Sequence, residues 1–296
     1  MDSSSPNPKL APKPVDAAEL YLDLMKNTLT RRLFPERAVF LDTFPPGFRG
    51  AVVRGLRKLG SRALKTQKLQ FAAPVYVDPN QREVGGDWPT EAETMIGMRR
   101  LDNLQWCITQ AVRNGVPGDL IETGVWRGGA TIFMRAVLKA YGVTDRRVFV
   151  ADSFAGLPKP SPQLYPQDKD DPHWTYKNLA VGVDAVKANF ARYGLLDDQV
   201  QFLVGWFRDT LPTAPIERLA VARLDGDMYE STMDGLINLY DKLSLGGFII
   251  IDDYKNLKGC RQAVDDFRSQ RQISEHIEEI DWTGVFWQKT SLGRSE

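Results

Sequence analysis

The sequence predicts an α/β chain, with a doubly wound, mostly parallel sheet ending in an antiparallel hairpin and preceded by a helical region. Three observations carry this. Beyond Gly118, short β-branched runs alternate with helical patterns. Continuous apolar strands separated by helices of about 10–15 residues belong to parallel strands, buried on both faces and joined by right-handed crossovers. The last two strands have only Asp281–Thr283 between them, so they form a hairpin rather than a crossover. Before Gly118 the apolar residues recur instead at helical spacing.

Residues 1–15 open with MDSSSPNPKLAPKP, which lacks the apolar surface needed to order itself, and are expected as a tail. From Asp16 to Arg32, Leu20, Leu24, Met25 and Leu29 mark an amphipathic helix. Arg49–Lys68 reads as a second helix. Its stripe is Val52, Val53, Leu56, Leu59 and Leu64, with Arg54, Arg57, Lys58, Arg62 and Lys65 as a solvated face. Thr94–Asn114 is a third, stopped by Gly115 and Pro117. Strands are expected at Asp119–Thr123, Arg147–Ala151, Val200–Val204, Leu219–Leu224, Phe248–Ile251, Ile273–Ile280 and Gly284–Gln288. Helices are expected from Gly129, over Val183–Tyr193, Ser231–Leu243 and Arg261–Arg271. A helical lid and substrate region, 16–117, thus precedes an α/β domain, 118–296. Within the latter, 155–180 is a long insertion without periodicity, and such loops are commonly functional. Tyr165, His173, Trp174 and Tyr176 mark it as a lid that packs on something.

Composition narrows the function. The 296 residues carry 38 Lys+Arg and 38 Asp+Glu, so there is no basic excess of the kind that nucleic-acid binding calls for. The densest apolar run, 246–251, is far below the roughly 18 residues of a membrane span. The N-terminus shows no secretory pattern. Cys107 and Cys260 are too few and too scattered for a disulfide scaffold, and they read as reduced thiols of a cytoplasmic protein.

In an open α/β sheet, ligands bind beyond the carboxyl ends of the strands, near the reversal of strand order. The first predicted strand ends in Glu122-Thr123-Gly124 and runs through Gly128 and Gly129 into a helix; the spacing is not the G-x-G-x-x-G fingerprint. These glycines admit a ligand, or they serve tight strand–helix packing. The second ends in Asp152-Ser153-Phe154, where a carboxylate can accept ribose hydroxyls or cap a helix. The third ends in Gly205-Trp206-Phe207, whose aromatic faces suit a flat ring or the core. The next two end in RLDGDMYEST (223–232) and IDDY (251–254), which brings Asp225, Asp227, Asp252 and Asp253 to adjacent strand tips about 4.8 Å apart. Carboxylates that close repel one another unless a cation joins them. An oxygen-only donor set selects a hard ion: Mg²⁺, or alternatively Ca²⁺ or Mn²⁺.

The chain resembles the S-adenosylmethionine-dependent O-methyltransferases of the macrocin O-methyltransferase (TylF/MycF) type. These modify sugar hydroxyls of glycosylated natural products, and the group includes the noviose 4-O-methyltransferase of novobiocin assembly. Seven blocks carry the resemblance in order: LYLDLMKNTLT (20–30), DWPTEAETMIGMRRLDNLQ (87–105), GDLIETGVWRGGATIFMR (118–135), VADSFAGLP (150–158), VGWFRDTLP (204–212), RLDGDMYEST (223–232) and GGFIIIDDY (246–254). The resemblance implies a class I, Rossmann-like methyltransferase fold. It places the donor's methionine end over Glu122, Thr123 and Gly124, with Met95 and Ile96 closing over it. Asp152, with Ser153 and Phe154 beside it, takes the ribose; Gly205, Trp206 and Phe207 flank the adenine; Asp225 borders the donor. It makes Asp225, Asp252 and Asp253 the magnesium ligands and Asp227 the general base. It also implies a homo-oligomer. Related catechol methyltransferases place a basic lysine three residues after the first metal-binding aspartate, where this chain has Met228. That departure moves attention to Asp227, or to His173 in the insertion.

The expected reaction is Mg²⁺-assisted methylation of a sugar hydroxyl in antibiotic or secondary-metabolite tailoring, with a vicinal diol suiting a bidentate grip on the ion. Two alternatives stand beside it: a phenol- or catechol-type methyltransferase, and a non-catalytic nucleotide-binding module. His276 is expected to be structural in a strand, and Trp282 and Trp287 to serve packing or oligomer contacts.

Overall fold

The computed structural model describes residues 16–36, 38–40, 72–74 and 76–292. The expected tail at 1–15 and the basic helix at 49–68 lie outside the described residues. Helix α1 (Ala17–Leu29) starts at Asp16, whose carboxylate accepts the Ala18 N–H at 2.9 Å as an N-cap. Its buried face is Leu22, Met25 and Leu29, and Lys26 is buried with them beside Asp102. Leu20 and Leu24, expected in the apolar stripe, face outward instead. Two short antiparallel strands follow, β1 (Ala38–Phe40) and β2 (Ala72–Pro74). A short helix that the periodicity did not reveal comes next, α2 (Pro79–Val84), capped by Asp78. Helix α3 (Gly97–Arg113) begins three residues later than its pattern predicts. The reason is Gly97, whose φ of +73° cannot continue a right-handed helix backwards.

The α/β domain runs β3 (Asp119–Thr123), α4 (Gly129–Ala140), β4 (Val148–Asp152), α5 (Val183–Arg192) and β5 (Val200–Val204). A helical turn, α6 (Phe207–Thr210), precedes β6 (Leu219–Leu224), α7 (Tyr229–Leu239), β7 (Leu243–Ile251), α8 (Lys258–Gln270), β8 (Glu278–Glu279) and β9 (Val285–Gln288). The seven-stranded sheet has the order β5-β4-β3-β6-β7-β9-β8, parallel through β7 and antiparallel across β9 and β8. This is the class I methyltransferase fold. The expected strand over Ile273–Ile280 shortens to Glu278–Glu279, leaving His276 exposed in irregular chain. Strand β7 instead starts earlier, because Leu243 pairs with Leu219 ahead of a register shift.

Alternate strand residues serve opposite faces. Leu120, Val148, Val150 and Val221 pack beneath α1, α3, α4 and α5, while Ile121, Phe149, Ala222, Leu224, Ile249 and Ile251 pack against α7 and α8. The strand order reverses at β3, between β4 and β6, so the loops after β3 and β6 open into one cleft.

The insertion is tied down. It contains three single-turn 3₁₀ segments, Pro166–Asp168, His173–Thr175 and Lys177–Leu179. Helix α7 has no capping side chain of its own. Asp168 supplies one from the insertion, accepting the N–H groups of Tyr229 at 2.7 Å and Glu230 at 3.0 Å. At a second point the Trp126 Nε1–H donates to the Asn178 carbonyl at 2.9 Å. Asp168→Ala is therefore expected to lower stability by about 1–2 kcal/mol, the cost of a lost N-cap. Urea denaturation checks this, with Asp168→Asn retaining most of the difference.

Candidate active site

The loop after β3 is built around close backbone crossings. Gly124 has φ +81°, and a Cβ there would land on the Asp225 carbonyl oxygen, because the ends of β3 and β6 touch at this point. Gly128, at φ +85°, faces Val186, and a Cβ on Gly129 would meet the Glu93 backbone at 2.6 Å. Packing thus demands Gly128 and Gly129, whereas Gly124 both packs and lines the cleft. Gly124→Ala is expected to displace the Asp225 loop and weaken donor binding about tenfold or more, as strain of this kind costs on the order of 1–3 kcal/mol. Calorimetric titration with S-adenosylhomocysteine measures it.

The loops that follow β3, β4, β5, β6 and β7 line one cleft. Met95, Ile96, Glu122, Gly124, Asp152, Ser153, His173, Trp206, Phe207, Asp225, Asp227, Asp252 and Asp253 all line it. Thr123, Phe154 and Gly205, expected among them, do not. Thr123 is buried in the strand with its carbonyl accepting the Asp225 N–H at 2.9 Å. Phe154 turns toward Phe202 and the core. Gly205 contributes backbone, donating its N–H to the Asp152 carbonyl at 2.9 Å.

Asp152 accepts the N–H groups of Val125 and Phe154, each at 2.7 Å, and so fixes the β3–α4 loop. Its burial still raises its pKa, and a carboxylate with about four lone-pair sites retains acceptors for further donors. Glu122, next to Arg223 across the β3–β6 pair, is pushed up to about 8 by burial, with Asp225 and Asp252 adding to the rise and Arg223 opposing it. Its Oε2 is buried with no partner. A buried carboxylate oxygen without a donor, beside a glycine cradle, fits the ammonium of an amino-acid group.

Asp225, Asp227 and Asp253 offer oxygens all within 4.8 Å of one another. Desolvation first, then repulsion from neighbouring carboxylates (Asp252 on Asp225, Asp225 on Asp227, Asp227 and Asp225 on Asp253), raises all three, Asp227 to about 7. Asp253 Oδ2 is buried without a partner. Asp227 stands in the left-handed region at φ +57°, a conformation aspartate tolerates better than most residues and one that concentrates at working sites. The donor set fits a hard divalent cation.

Asp252, expected as a metal ligand, stands outside this trio. Both its oxygens are taken by guanidiniums, Oδ1 by Arg223 and Oδ2 by Arg100. Asp227, expected as the general base, is the third carboxylate of the trio. Arg223 is fully buried, and although burial opposes its charge, Asp252, Asp225 and Glu122 hold it firmly cationic. Arg100 also pairs with Asp281 at 3.0 Å.

These arginines were not found from the sequence. The signal was present for Arg223, a cation inside the apolar strand LAVARL, where an unpaired charge would be prohibitive. The insertion adds His173, whose Nδ1–H donates to Asp171 at 2.8 Å; that bond, and Asp227 across the cleft, raise its pKa. Arg208, Glu230 and Asp234 line the cleft as well, and burial pushes Asp234 up to about 6. Trp282, expected as a packing or oligomer contact, lines the cleft instead, while Trp287 is fully buried.

The family profile described as macrocin-O-methyltransferase (TylF) matches residues 18–289. The chain is 50% identical over 277 residues, 93% of its length and 95% of the relative's, to 8-demethyl-8-(2,3-dimethoxy-alpha-L-rhamnosyl)-tetracenomycin-C 4′-O-methyltransferase of Streptomyces olivaceus. It is 47% identical over 281 residues, 94% of its length and 99% of the relative's, to mycinamicin III 3″-O-methyltransferase of Micromonospora griseorubida. The solved structure of the O-methyltransferase NovP superposes with a TM-score of 0.78 at 43% identity, over 93% of this chain and 100% of that one.

Proposed function

The chain belongs to the macrocin O-methyltransferase (TylF) family, and from that premise we propose that it methylates a hydroxyl of a sugar carried by a small-molecule natural product, with Mg²⁺ as the activating ion. It is an S-adenosylmethionine-dependent O-methyltransferase. The observation that carries the metal reading is the trio Asp225, Asp227 and Asp253 within 4.8 Å, set in the same cleft that Glu122, Gly124 and Asp152 line. The sugar acceptor rests on the relatives. One is named for 4′-O-methylation of a rhamnosyl tetracenomycin and another for 3″-O-methylation of mycinamicin III, so the ring position is not carried over.

When bound, the donor supplies a sulfonium methyl and the ion lowers the pKa of a neighbouring alcohol. The other tasks fall to the chain. Glu122 Oε2 accepts the donor's ammonium, Asp152 accepts the ribose hydroxyls, Trp206 and Phe207 flank the adenine, and Met95 and Ile96 close over the methionine end. Asp225, Asp227 and Asp253 would hold the ion, and Asp227 takes the hydroxyl proton as the oxygen–carbon bond forms and the sulfur–carbon bond breaks. Arg100 and Arg223 keep Asp252 and Asp225 in place. His173 is drawn toward its protonated form by Asp171 and Asp227, which suits it to orient Asp227 rather than to act as the base. The buried, unpaired Cys107 and Cys260 fit a reducing cytoplasm. The outward Leu20 and Leu24 of α1 fit association of copies.

Purified protein with S-adenosylmethionine and Mg²⁺, offered 4-nitrophenyl α-L-rhamnoside and catechol in parallel, tests the reading. Mass spectrometry is expected to show one methyl ether, on the sugar. Methylation of catechol alone would replace the sugar reading with the phenol-type alternative.

A further inference from the structure

Two half-exposed tryptophans line the cleft, Trp88 at 52% and Trp282 at 46% exposure. Each is fixed from behind. The Trp282 Nε1–H donates to the Val84 carbonyl at 2.8 Å, which spends the indole's only donor. Trp88 is four residues further along the same segment. Its ring meets Tyr176 of the insertion edge-on, with centroids 6.0 Å apart, and Tyr176 meets His173 in the same manner at 5.2 Å. Three separated stretches of chain, the end of α2, the insertion and the β8–β9 turn, thus converge on one aromatic rim.

The rim adjoins the acidic floor. Trp282 follows Asp281, which pairs with Arg100, and Arg100 holds Asp252. His173, at the other end of the aromatic row, acts electrostatically on Asp227. Whatever stacks on the tryptophans is therefore continuous with a molecule whose hydroxyl reaches the carboxylates. With the Trp282 N–H engaged, what the two indoles offer the cleft is chiefly flat apolar surface, worth most to a ring that is itself flat and apolar. Exposed aromatic anchors held rigid by their surroundings lose little side-chain entropy on binding, which is how binding hot spots are built.

We propose that Trp88 and Trp282 form a clamp for a flat, apolar non-sugar ring of the acceptor, with the attached sugar reaching past them to Asp225, Asp227 and Asp253. The inference deepens the sugar O-methyltransferase reading and rests on it. The cleft then reads its acceptor in two parts: polar floor for the sugar, aromatic mouth for the aglycone.

The test compares two glycosides of one sugar, 4-nitrophenyl α-L-rhamnoside and methyl α-L-rhamnoside, in wild type, Trp88→Ala, Trp282→Ala and Trp282→Phe. In the wild type, kcat/KM is expected to favour the aryl glycoside at least tenfold, mainly through KM. Either alanine variant should bring the aryl-to-methyl ratio near one, while Trp282→Phe should keep most of the preference. Calorimetric affinity for S-adenosylhomocysteine, equal to wild type, confirms a folded donor site. A wild-type ratio near one, or alanine variants that slow both glycosides equally, would overturn the clamp; the second result would assign the tryptophans to the sugar. If the wild type methylates neither glycoside, the sugar reading has failed and binding alone judges the clamp. Affinity for the aryl glycoside in the presence of S-adenosylhomocysteine should then drop at least tenfold in the double alanine variant, and equal affinities would overturn it.

Discussion

Asp227→Asn is expected to reduce methyl-transfer turnover by about 10²–10⁴-fold, the range a positioned general base contributes, while donor affinity changes less than about threefold. The asparagine keeps the shape and the strained backbone position at φ +57°, which asparagine also tolerates. It removes the negative charge and the capacity to take a proton. On the proposed assignment, donor contacts fall to other residues, Glu122 and Asp152 on the β3 and β4 side, so the loss should appear in kcat and spare donor binding. Single-turnover rates together with calorimetric titration of S-adenosylhomocysteine separate the two quantities. Turnover within a few-fold of wild type would move the base role to another group, with His173→Gln the next variant to measure.

Removing divalent ions is expected to have an effect of similar size. EDTA should lower methylation at least about 10²-fold, since a metal's stabilisation of a developing oxyanion amounts to several kcal/mol, and added Mg²⁺ should restore it. The charge inventory explains why. Among the described residues, Arg100 and Arg223 pair with Glu122, Asp225, Asp252 and Asp281, and neither pairs with Asp227 or Asp253. Asp252 is fully engaged by that pair, and Asp253 Oδ2 is left buried without a donor. Repulsion of this kind raises the carboxyl pKa values unless a cation intervenes. Full activity in chelator would remove the ion from the reaction and leave the acidic trio without its proposed purpose.

The sheet was legible because its signals are local. Asp119–Thr123, Val200–Val204 and Leu219–Leu224 match their predicted bounds residue for residue, since each is a short apolar run between a turn and a helix. The hairpin was legible from a spacing too short for a crossover. What failed was information held by partners distant in sequence. Nothing near Gly97 announces its φ of +73°, which cuts α3 short. Asp168 looks like an ordinary loop residue until it meets the open end of α7, 61 residues away. The acidic cluster was visible as composition at strand tips, yet which aspartates are left to form the trio depended on Arg100, 152 residues from Asp252, and on Arg223. Pattern reading gathers the right side chains at one end of the sheet; the arginines sort them.

The proposed chemistry requires one divalent cation held by the trio at the tips of β6 and β7. The most direct measurement is an anomalous difference map from crystals grown with S-adenosylhomocysteine and Mn²⁺ in place of Mg²⁺. The expected result is a single strong peak about 2.1 Å from oxygens of Asp225, Asp227 and Asp253, with Asp252 still held by Arg100 and Arg223. A map with no peak there, the three carboxylates separated by water alone, would contradict it.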